Sequence, residues 1–165
     1  MPFRGGAPCF MADRMTKPLD LLRFTPFRLN RLAAEFSNAL AAEYMARFGI
    51  DIPEWRVLAT LGPRSEPRSA HYVVHCTRTH KSTISRAVGT LVRLGHVRRL
   101  ASKDDRREVM LELTPQGRAV YAELVPLLLK RERTVLGCLS AAERAQLDTL
   151  LGKLERAFDL IQHAD

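Results

Sequence analysis

The sequence predicts a mainly α-helical fold with a small β-hairpin wing, arranged as a winged helix-turn-helix whose N- and C-terminal helices form a dimerisation domain. Three observations predict it. Two short amphipathic segments meet at a polar joint. Two strands of alternating apolar and polar residues follow them, and long helical segments with apolar stripes lie on either side. The chain has 165 residues and is 46% hydrophobic, which is enough to bury a core.

The first two helices are delimited by strong start and stop signals. Thr25-Pro26 is a typical N-cap and first helical position, and an apolar stripe runs from Phe27 to Phe48 at spacings of three and four. Gly49 ends that helix. Asp51 to Glu54 begins a second, shorter helix, which Gly62-Pro63 stops.

The third and fourth helices form the predicted helix-turn-helix. Ser69 caps a short helix from Ala70 to about Cys76. A polar joint, Thr77 to Thr79, leads into a fourth helix from His80 to about Leu94. This order of two short helices and a tight turn is typical of DNA-binding domains.

A hairpin and two further helices complete the predicted order. Val97 to Ala101 and Val109 to Leu113 read as strands, separated by a charged turn from Ser102 to Arg107. Thr114-Pro115 begins the next helix, and Ser140 to Glu143 is a capping box for the last one.

We expect four segments along the chain. Residues 1–18 form a disordered tail without the apolar run of a signal peptide, and residues 51–114 form the DNA-binding lobe. The helices in 19–50 and 115–165 are too apolar for so small a core, so they are expected to form a dimer interface.

The basic charge is concentrated in one segment. The net charge is +8, and Pro63 to Arg107 contains eleven Lys and Arg residues against three acidic ones, so it carries the whole imbalance. A solvated basic face would give the same count. The concentration favours a nucleic-acid footprint over an anionic membrane, since no apolar stretch is long enough to span a bilayer.

The start of the fourth helix has the side chains that base and phosphate recognition requires. Short hydroxyl and basic side chains there can enter the major groove, and a helix N-terminus favours a phosphate. The candidate DNA-binding residues of this region are Arg78, Thr79, His80, Lys81, Ser82, Thr83, Ser85 and Arg86.

The hairpin supplies a second group of candidate DNA contacts. Arg98 and Arg99 lie on its first strand, and its basic tip can reach the backbone or the minor groove. Asp105 and Arg107 point to the same side of an extended segment, so the carboxylate can orient the guanidinium. The candidate wing residues are Arg98, Lys103, Asp105, Arg106 and Arg107.

Several motifs together resemble the multiple-antibiotic-resistance regulator (MarR) family. They are Lys81 to Arg86, Leu94 to Val97, the wing residues Asp105-Arg106-Arg107, and Leu113 to Arg118. The last segment contains the pattern Leu-Thr-x-x-Gly. The resemblance covers about Phe27 to Ile161.

The resemblance implies a homodimeric repressor of transcription on a pseudo-palindromic operator, with the fourth helix in the major groove and the wing in the minor groove. A small ligand would typically release the DNA. The sequence departs from the family at Arg78, where family members often have Gly, so Arg78 is expected to add a phosphate contact.

Family members sense aromatic acids or, through cysteine, oxidants. The candidate effector-binding residues are Tyr44, Arg47, Trp55, Tyr72 and His75, each of which could also be plain core or surface. The stretch from Phe24 to Leu61, with Cys76 to Lys81, is also similar to a subgroup that responds to hydroxycinnamoyl-coenzyme A thioesters. A polyphosphorylated ligand would suit a basic lobe.

Two other classes of function stay open, and a third is not expected. Cys76, beside His75 and Arg78, could be a redox-sensing thiol, although a buried inert cysteine is expected there. A non-specific architectural DNA-binding protein is a further alternative. Catalysis is not expected, because His71 and His75 have no acidic partner, and no metal site or cofactor is predicted. Three unpatterned cysteines favour a reducing cytoplasm.

Overall fold

The computed structural model describes residues 18–101 and 108–160. Contacts between Cα atoms divide the chain into two compact units, one ending at Ala33 and the other beginning at Ala34. The first unit contains a turn in which Asp20 accepts a hydrogen bond from the Leu22 amide at 3.1 Å. The predicted tail therefore lies almost wholly outside the described residues.

Six α-helices, one short 3₁₀ turn and three strands follow in order. The helices are α1 Thr25–Phe48, α2 Ile52–Leu61, α3 Ala70–Thr77, α4 Lys81–Arg93, α5 Pro115–Val135 and α6 Ala141–Ala157. The strands are β1 Arg68–Ser69, β2 Val97–Ala101 and β3 Val109–Leu113, and the 3₁₀ turn is Leu136–Cys138. The predicted mainly helical, winged fold class is confirmed.

The sheet has one more strand than the sequence predicted. Its order is β1-β3-β2, and both pairings are antiparallel. The short β1 pairs with the middle of β3, with Arg68 opposite Leu111. The sequence predicted only the two hairpin strands and missed β1, because its pairing depends on a partner more than forty residues away; Ser69 caps α3 as predicted.

The predicted starts of α2, α3, α5 and α6 are confirmed by their caps. Asp51 and Glu54 form a capping box at α2, and Ser140 and Glu143 form one at α6. The Ser140 backbone and side-chain hydrogen bonds lower the pKa of the Glu143 carboxyl. Two boundaries shift. Thr25, predicted as an N-cap, is the first residue of α1, and α4 begins at Lys81 with His80 as its N-cap.

The core of the lobe comes from the inner faces of α2, α3, α4 and the sheet. Leu58, Val73, Ile84, Leu91 and Leu111 are each at most 1% exposed. These side chains hold the two short helices and the wing against each other, so the outer face of α4 has a fixed position in this lobe.

The start of α5 packs against the turn between α4 and β2. The Thr114 hydroxyl donates to the Gly95 carbonyl at 2.6 Å and accepts from the Gly117 amide at 3.0 Å. A Cβ at Gly117 would overlap the His96 carbonyl oxygen. The Leu-Thr-x-x-Gly motif therefore serves close packing between α5 and this turn.

The last helix buries none of its own residues in the isolated chain. Leu150, Leu151, Leu154 and Phe158 are 41–70% exposed and lie at helical spacing on one face. Within the described segments, none of the helices has both the length and the apolar character of a membrane span.

Candidate nucleic-acid interface

The turn between α3 and α4 is made by a residue in the left-handed region. Arg78 has φ 49° and ψ 32° and is the C-cap of α3. The adjoining Thr79 hydroxyl donates to the Thr77 carbonyl at 3.2 Å and accepts from the Arg56 guanidinium at 3.3 Å. This hydrogen bond from Arg56 therefore links α2 to the residues just before α4.

The first turn of α4 is capped by an imidazole. The His80 Nδ1 atom accepts from the Ser82 amide at 3.3 Å and lies 2.8 Å from the Ser82 hydroxyl. This arrangement places the proton of the neutral ring on Nε2, which leaves one His80 donor for a ligand. The cap also fixes the direction in which α4 begins.

The two faces of α4 differ sharply. Ile84, Ala87, Val88 and Leu91 are buried. The opposite face exposes the predicted candidates Lys81, Ser82, Ser85 and Arg86, while Thr79 and Thr83 are half-buried. The helix therefore presents hydroxyl and cationic groups outward from a rigid base.

The two arginines of β2 lie in different surroundings. The Arg98 guanidinium forms an ion pair with Glu112 on β3. Arg98 was predicted to contact DNA, and in this structure its Nε atom and one terminal nitrogen contact Glu112. Arg99 instead lines a groove of about 320 Å³ with Lys81 and Ser85, between α3, α4 and β3.

The wing-tip candidates Lys103, Asp105, Arg106 and Arg107 lie outside the described residues.

Three aromatic rings from three helices form a stack in the second unit. The ring centroids of Tyr44 and Trp55 are 6.0 Å apart, and those of Trp55 and Tyr121 are 6.3 Å apart, with interplanar angles of 21° and 17°. Tyr44 and Trp55 were predicted effector residues. Tyr121 was missed, since nothing in its local sequence indicates an aromatic partner on α2.

The Tyr44 hydroxyl is held in its neutral form. Burial, reinforced by the Asp51 carboxylate and opposed by Arg56, raises the pKa of Tyr44 to about 12. A neutral phenol beside the half-buried Trp55 can donate a hydrogen bond at physiological pH.

The other three effector candidates do not join this stack through any ring contact in the described residues. Arg47 forms an exposed ion pair with Glu123 on α5 at 3.5 Å. Tyr72 packs against Arg64 and Arg68, and His75 is exposed on α3. Of the five predicted residues, the ring contacts of the described segments therefore join only Tyr44 and Trp55.

The cysteines and histidines show no metal cluster within the described residues. Cys76 is half-buried on α3, and Cys138 is exposed on the 3₁₀ turn. Cys9 lies outside the described residues.

Comparison with known proteins agrees with this geometry. The model of the MarR family matches residues 48–108, which contain α2, α3, α4 and the first strand of the wing. Over residues 48–108 the chain is therefore similar to the MarR family. The segment includes Arg78, the His80 cap and the polar face of α4.

Relatives of the MarR family extend the match beyond this lobe. The chain is 29% identical over 130 residues to the HTH-type transcriptional regulator PecS of Dickeya dadantii, covering 78% of each chain. It resembles a MarR/EmrR family transcriptional regulator from an Acinetobacter species, with a TM-score of 0.75 and 26% identity, over 87% of this chain and 100% of the other.

A third protein shares the fold at lower identity. Bordetella bronchiseptica BpsR, whose DNA binding is regulated by 6-hydroxynicotinic acid, has a TM-score of 0.74 and 24% identity over 84% of this chain and 98% of its own. The family model and these relatives thus show that the chain is similar to transcriptional regulators of the MarR type.

Proposed function

We propose that the protein is a homodimeric repressor that binds a pseudo-palindromic operator and is released by a small aromatic effector, such as an aromatic acid or its coenzyme A thioester. The observation that carries the proposal is the two-faced α4. Its inner side is locked into the core, while Lys81, Ser82, Ser85 and Arg86 face outward.

The outward face of α4 has the chemistry of direct readout. Lys81 and Arg86 can neutralise phosphates or bond guanine, and the hydroxyls of Ser82 and Ser85 can bond base edges or backbone. The helix start adds the partial positive charge of its free amides. The surplus of basic residues in 63–107 supplies the sequence-independent part of the affinity.

Two copies of the chain suit this mode of binding. A palindromic operator presents one half-site to each protomer, with the half-sites about one helical turn apart. The exposed apolar face of α6 supports a homodimer, because a monomer would leave these leucines in water.

The aromatic stack is the best-supported place for the effector. Trp55 and Tyr121 are half-buried, so part of their ring surface is open to a flat aromatic molecule. The neighbouring residue Arg56 bonds Thr79 just before α4. A molecule that displaces Trp55 would therefore act one residue from the contact that positions α4.

Titration against DNA tests the repressor proposal. We expect the protein to bind the DNA upstream of its own gene at least ~1,000-fold more tightly than random DNA at physiological salt. The double variant Lys81→Ala and Arg86→Ala should lose this preference, while Arg156→Ala, an exposed arginine on the side of α6 opposite its apolar face, should keep it. Equal affinity of the wild-type protein for both DNAs would refute sequence-specific regulation.

A thermal-shift screen identifies the effector. Aromatic acids and their coenzyme A thioesters should raise the melting temperature, because a ligand of the native state stabilises it. An active compound should also release the operator DNA. Trp55→Leu should reduce both effects, whereas Leu129→Ala, exposed on α5, should leave both intact.

A further inference from the structure

A chain of two hydrogen bonds connects α2 to the turn between α3 and α4. The Arg56 guanidinium donates to the Thr79 hydroxyl oxygen at 3.3 Å, and that hydroxyl donates to the Thr77 carbonyl at 3.2 Å. Thr77 is the last residue of α3, and Thr79 directly precedes the N-cap of α4. The Thr79 hydroxyl therefore acts as acceptor and donor at once, at the point where α4 is about to begin.

These two hydrogen bonds span a residue in an unfavourable backbone conformation. Arg78 lies between Thr77 and Thr79 and has φ 49°. A residue with a Cβ is strained in the left-handed region, so such a turn persists only where its surroundings hold it. The hydrogen bond from Thr79 to Thr77 bridges this residue, and the hydrogen bond from Arg56 fixes the bridging hydroxyl.

The start of α4 depends on the geometry of this turn. His80 follows Thr79, and its carbonyl accepts hydrogen bonds from the Thr83 and Ile84 amides at 3.0 and 3.1 Å. These bonds form the first turn of α4, which also contains the exposed Lys81. A rotation of the backbone at Thr79 would therefore redirect the side chains that contact DNA in the proposed function.

Arg56 is also coupled to the aromatic stack. It follows Trp55, whose ring lies against that of Tyr44, along α2. Burial and the Asp51 carboxylate raise the pKa of Tyr44, and the charge of Arg56 opposes them. Because such an effect falls off with distance, the guanidinium lies near the Tyr44 hydroxyl as well as beside Thr79. One side chain thus interacts with the stack and with the turn before α4.

We propose that Arg56 is a positioning residue for α4, which holds the α3–α4 turn through Thr79 and so connects the start of α4 to the aromatic stack. The inference rests on the proposed function, because it assigns the step between the effector and the side chains that face DNA. Thr79 was predicted to contact DNA, and in this role its hydroxyl serves the turn instead.

A double-mutant cycle on operator binding tests the positioning role. Arg56→Ala should lower the preference for operator over random DNA about 10-fold, and Thr79→Val, which breaks both hydrogen bonds, at least as much. The double variant should be no worse than Thr79→Val alone, because the two changes break one shared contact. Thr79→Ser, which keeps the hydroxyl, and Arg156→Ala, which removes an exposed arginine from α6, should retain the preference.

The salt dependence of DNA binding separates positioning from direct contact. An arginine that neutralises a DNA phosphate releases a counterion, so its loss would lower the salt slope by about one. We expect Arg56→Ala to keep the wild-type slope. A slope lower by about one, or additive losses in the double variant, would make Arg56 an independent DNA contact and overturn the proposal.

Amide hydrogen exchange tests the same contact without DNA or effector. The Ile84 amide, at the start of α4, should exchange about 10-fold faster in Arg56→Ala and in Thr79→Val, because the turn before it opens more often. The Leu94 amide, at the other end of α4, should keep its rate. Unchanged exchange at Ile84, or equal acceleration at both ends of α4, would contradict local positioning.

The connection to the stack is tested in the same experiment. Trp55→Leu should accelerate exchange of the Ile84 amide in the wild-type background and should add nothing in the Arg56→Ala background. Additive acceleration would show that the stack reaches α4 by another route. If the wild-type protein has no operator preference while the exchange rates follow the expected pattern, the proposed function fails and the positioning role of Arg56 stands.

Discussion

Arg78 adopts a backbone conformation that side chains with a Cβ disfavour. Its φ of 49° places it in the left-handed region, where glycine has no steric penalty. The family that the sequence resembles often has Gly at this position, and the left-handed conformation explains why. The arginine is kept at a conformational cost, which fits the predicted phosphate contact.

Substitutions at Arg78 should follow the order of left-handed tolerance. Arg78→Val should lower the free energy of unfolding by about 1–2 kcal/mol, because a β-branched residue is strained at this φ, while Arg78→Gly should keep or raise it by up to ~1 kcal/mol. Urea denaturation at one protomer concentration measures both. At Arg144, inside α6, the order should reverse, with Gly below Val. The same order at both positions would contradict the strain argument.

His96 gives the lobe a dependence on pH. The residue is 6% exposed, and its Nδ1 atom is buried without a hydrogen-bond partner. Burial lowers the pKa of His96 from its ordinary value near 6.5. The unfolded chain therefore binds a proton at a higher pH than the native protein does.

The sign of this effect follows from proton linkage. Stability is greatest above pH 6.5, where both states are neutral at His96, and it falls as the pH drops toward the lower native pKa. His96→Gln should flatten the part of the profile between pH 7.5 and 5.5, measured by chemical denaturation. The exposed His71→Gln serves as control and should leave the slope unchanged; equal slopes in the two variants would remove His96 as the cause.

At the scale of elements, α5 can pack against the turn after α4 only because Gly117 has no side chain. Gly117 is buried, and a Cβ there would meet backbone, which cannot rotate away. Gly117→Ala should destabilise the fold by about 3 kcal/mol or more. Gly89→Ala, on α4 with open space around its Cβ, should instead raise stability by about 0.5–1 kcal/mol. Thermal unfolding of both variants decides the matter, and similar small effects would show that α5 can move off the turn.

The sequence predicted most elements because their signals are local. The capping boxes at Asp51 and Ser140 and the stripe that becomes α1 are read within a few residues. Strand β1 escaped prediction because two residues form a strand only through pairing with β3. Tyr121 escaped it for the same reason, since its ring contact with Trp55 joins two separate helices.

At the scale of the whole molecule, the unburied face of α6 is the feature that one chain alone leaves unexplained. Leu147, Leu150, Leu151, Leu154 and Phe158 recur at helical spacing, and burying the exposed half of each leucine in a partner would contribute about 1 kcal/mol. The opposite side of the helix carries polar residues such as Thr149. The apolar face therefore suits a second copy of the chain better than solvent.

Introducing charge on this face should separate the protomers before it unfolds them. Leu151 is 41% exposed in the single chain, so Leu151→Glu costs little in the protomer but would bury an unpaired carboxylate in a dimer. We expect sedimentation equilibrium to show a shift from dimer to monomer. Operator affinity should fall steeply, because one protomer contacts only one half-site. Thr149→Glu, with the same change in charge on the opposite side of α6, should remain dimeric and bind DNA. A dimeric Leu151→Glu variant with full operator affinity would place the interface on other residues.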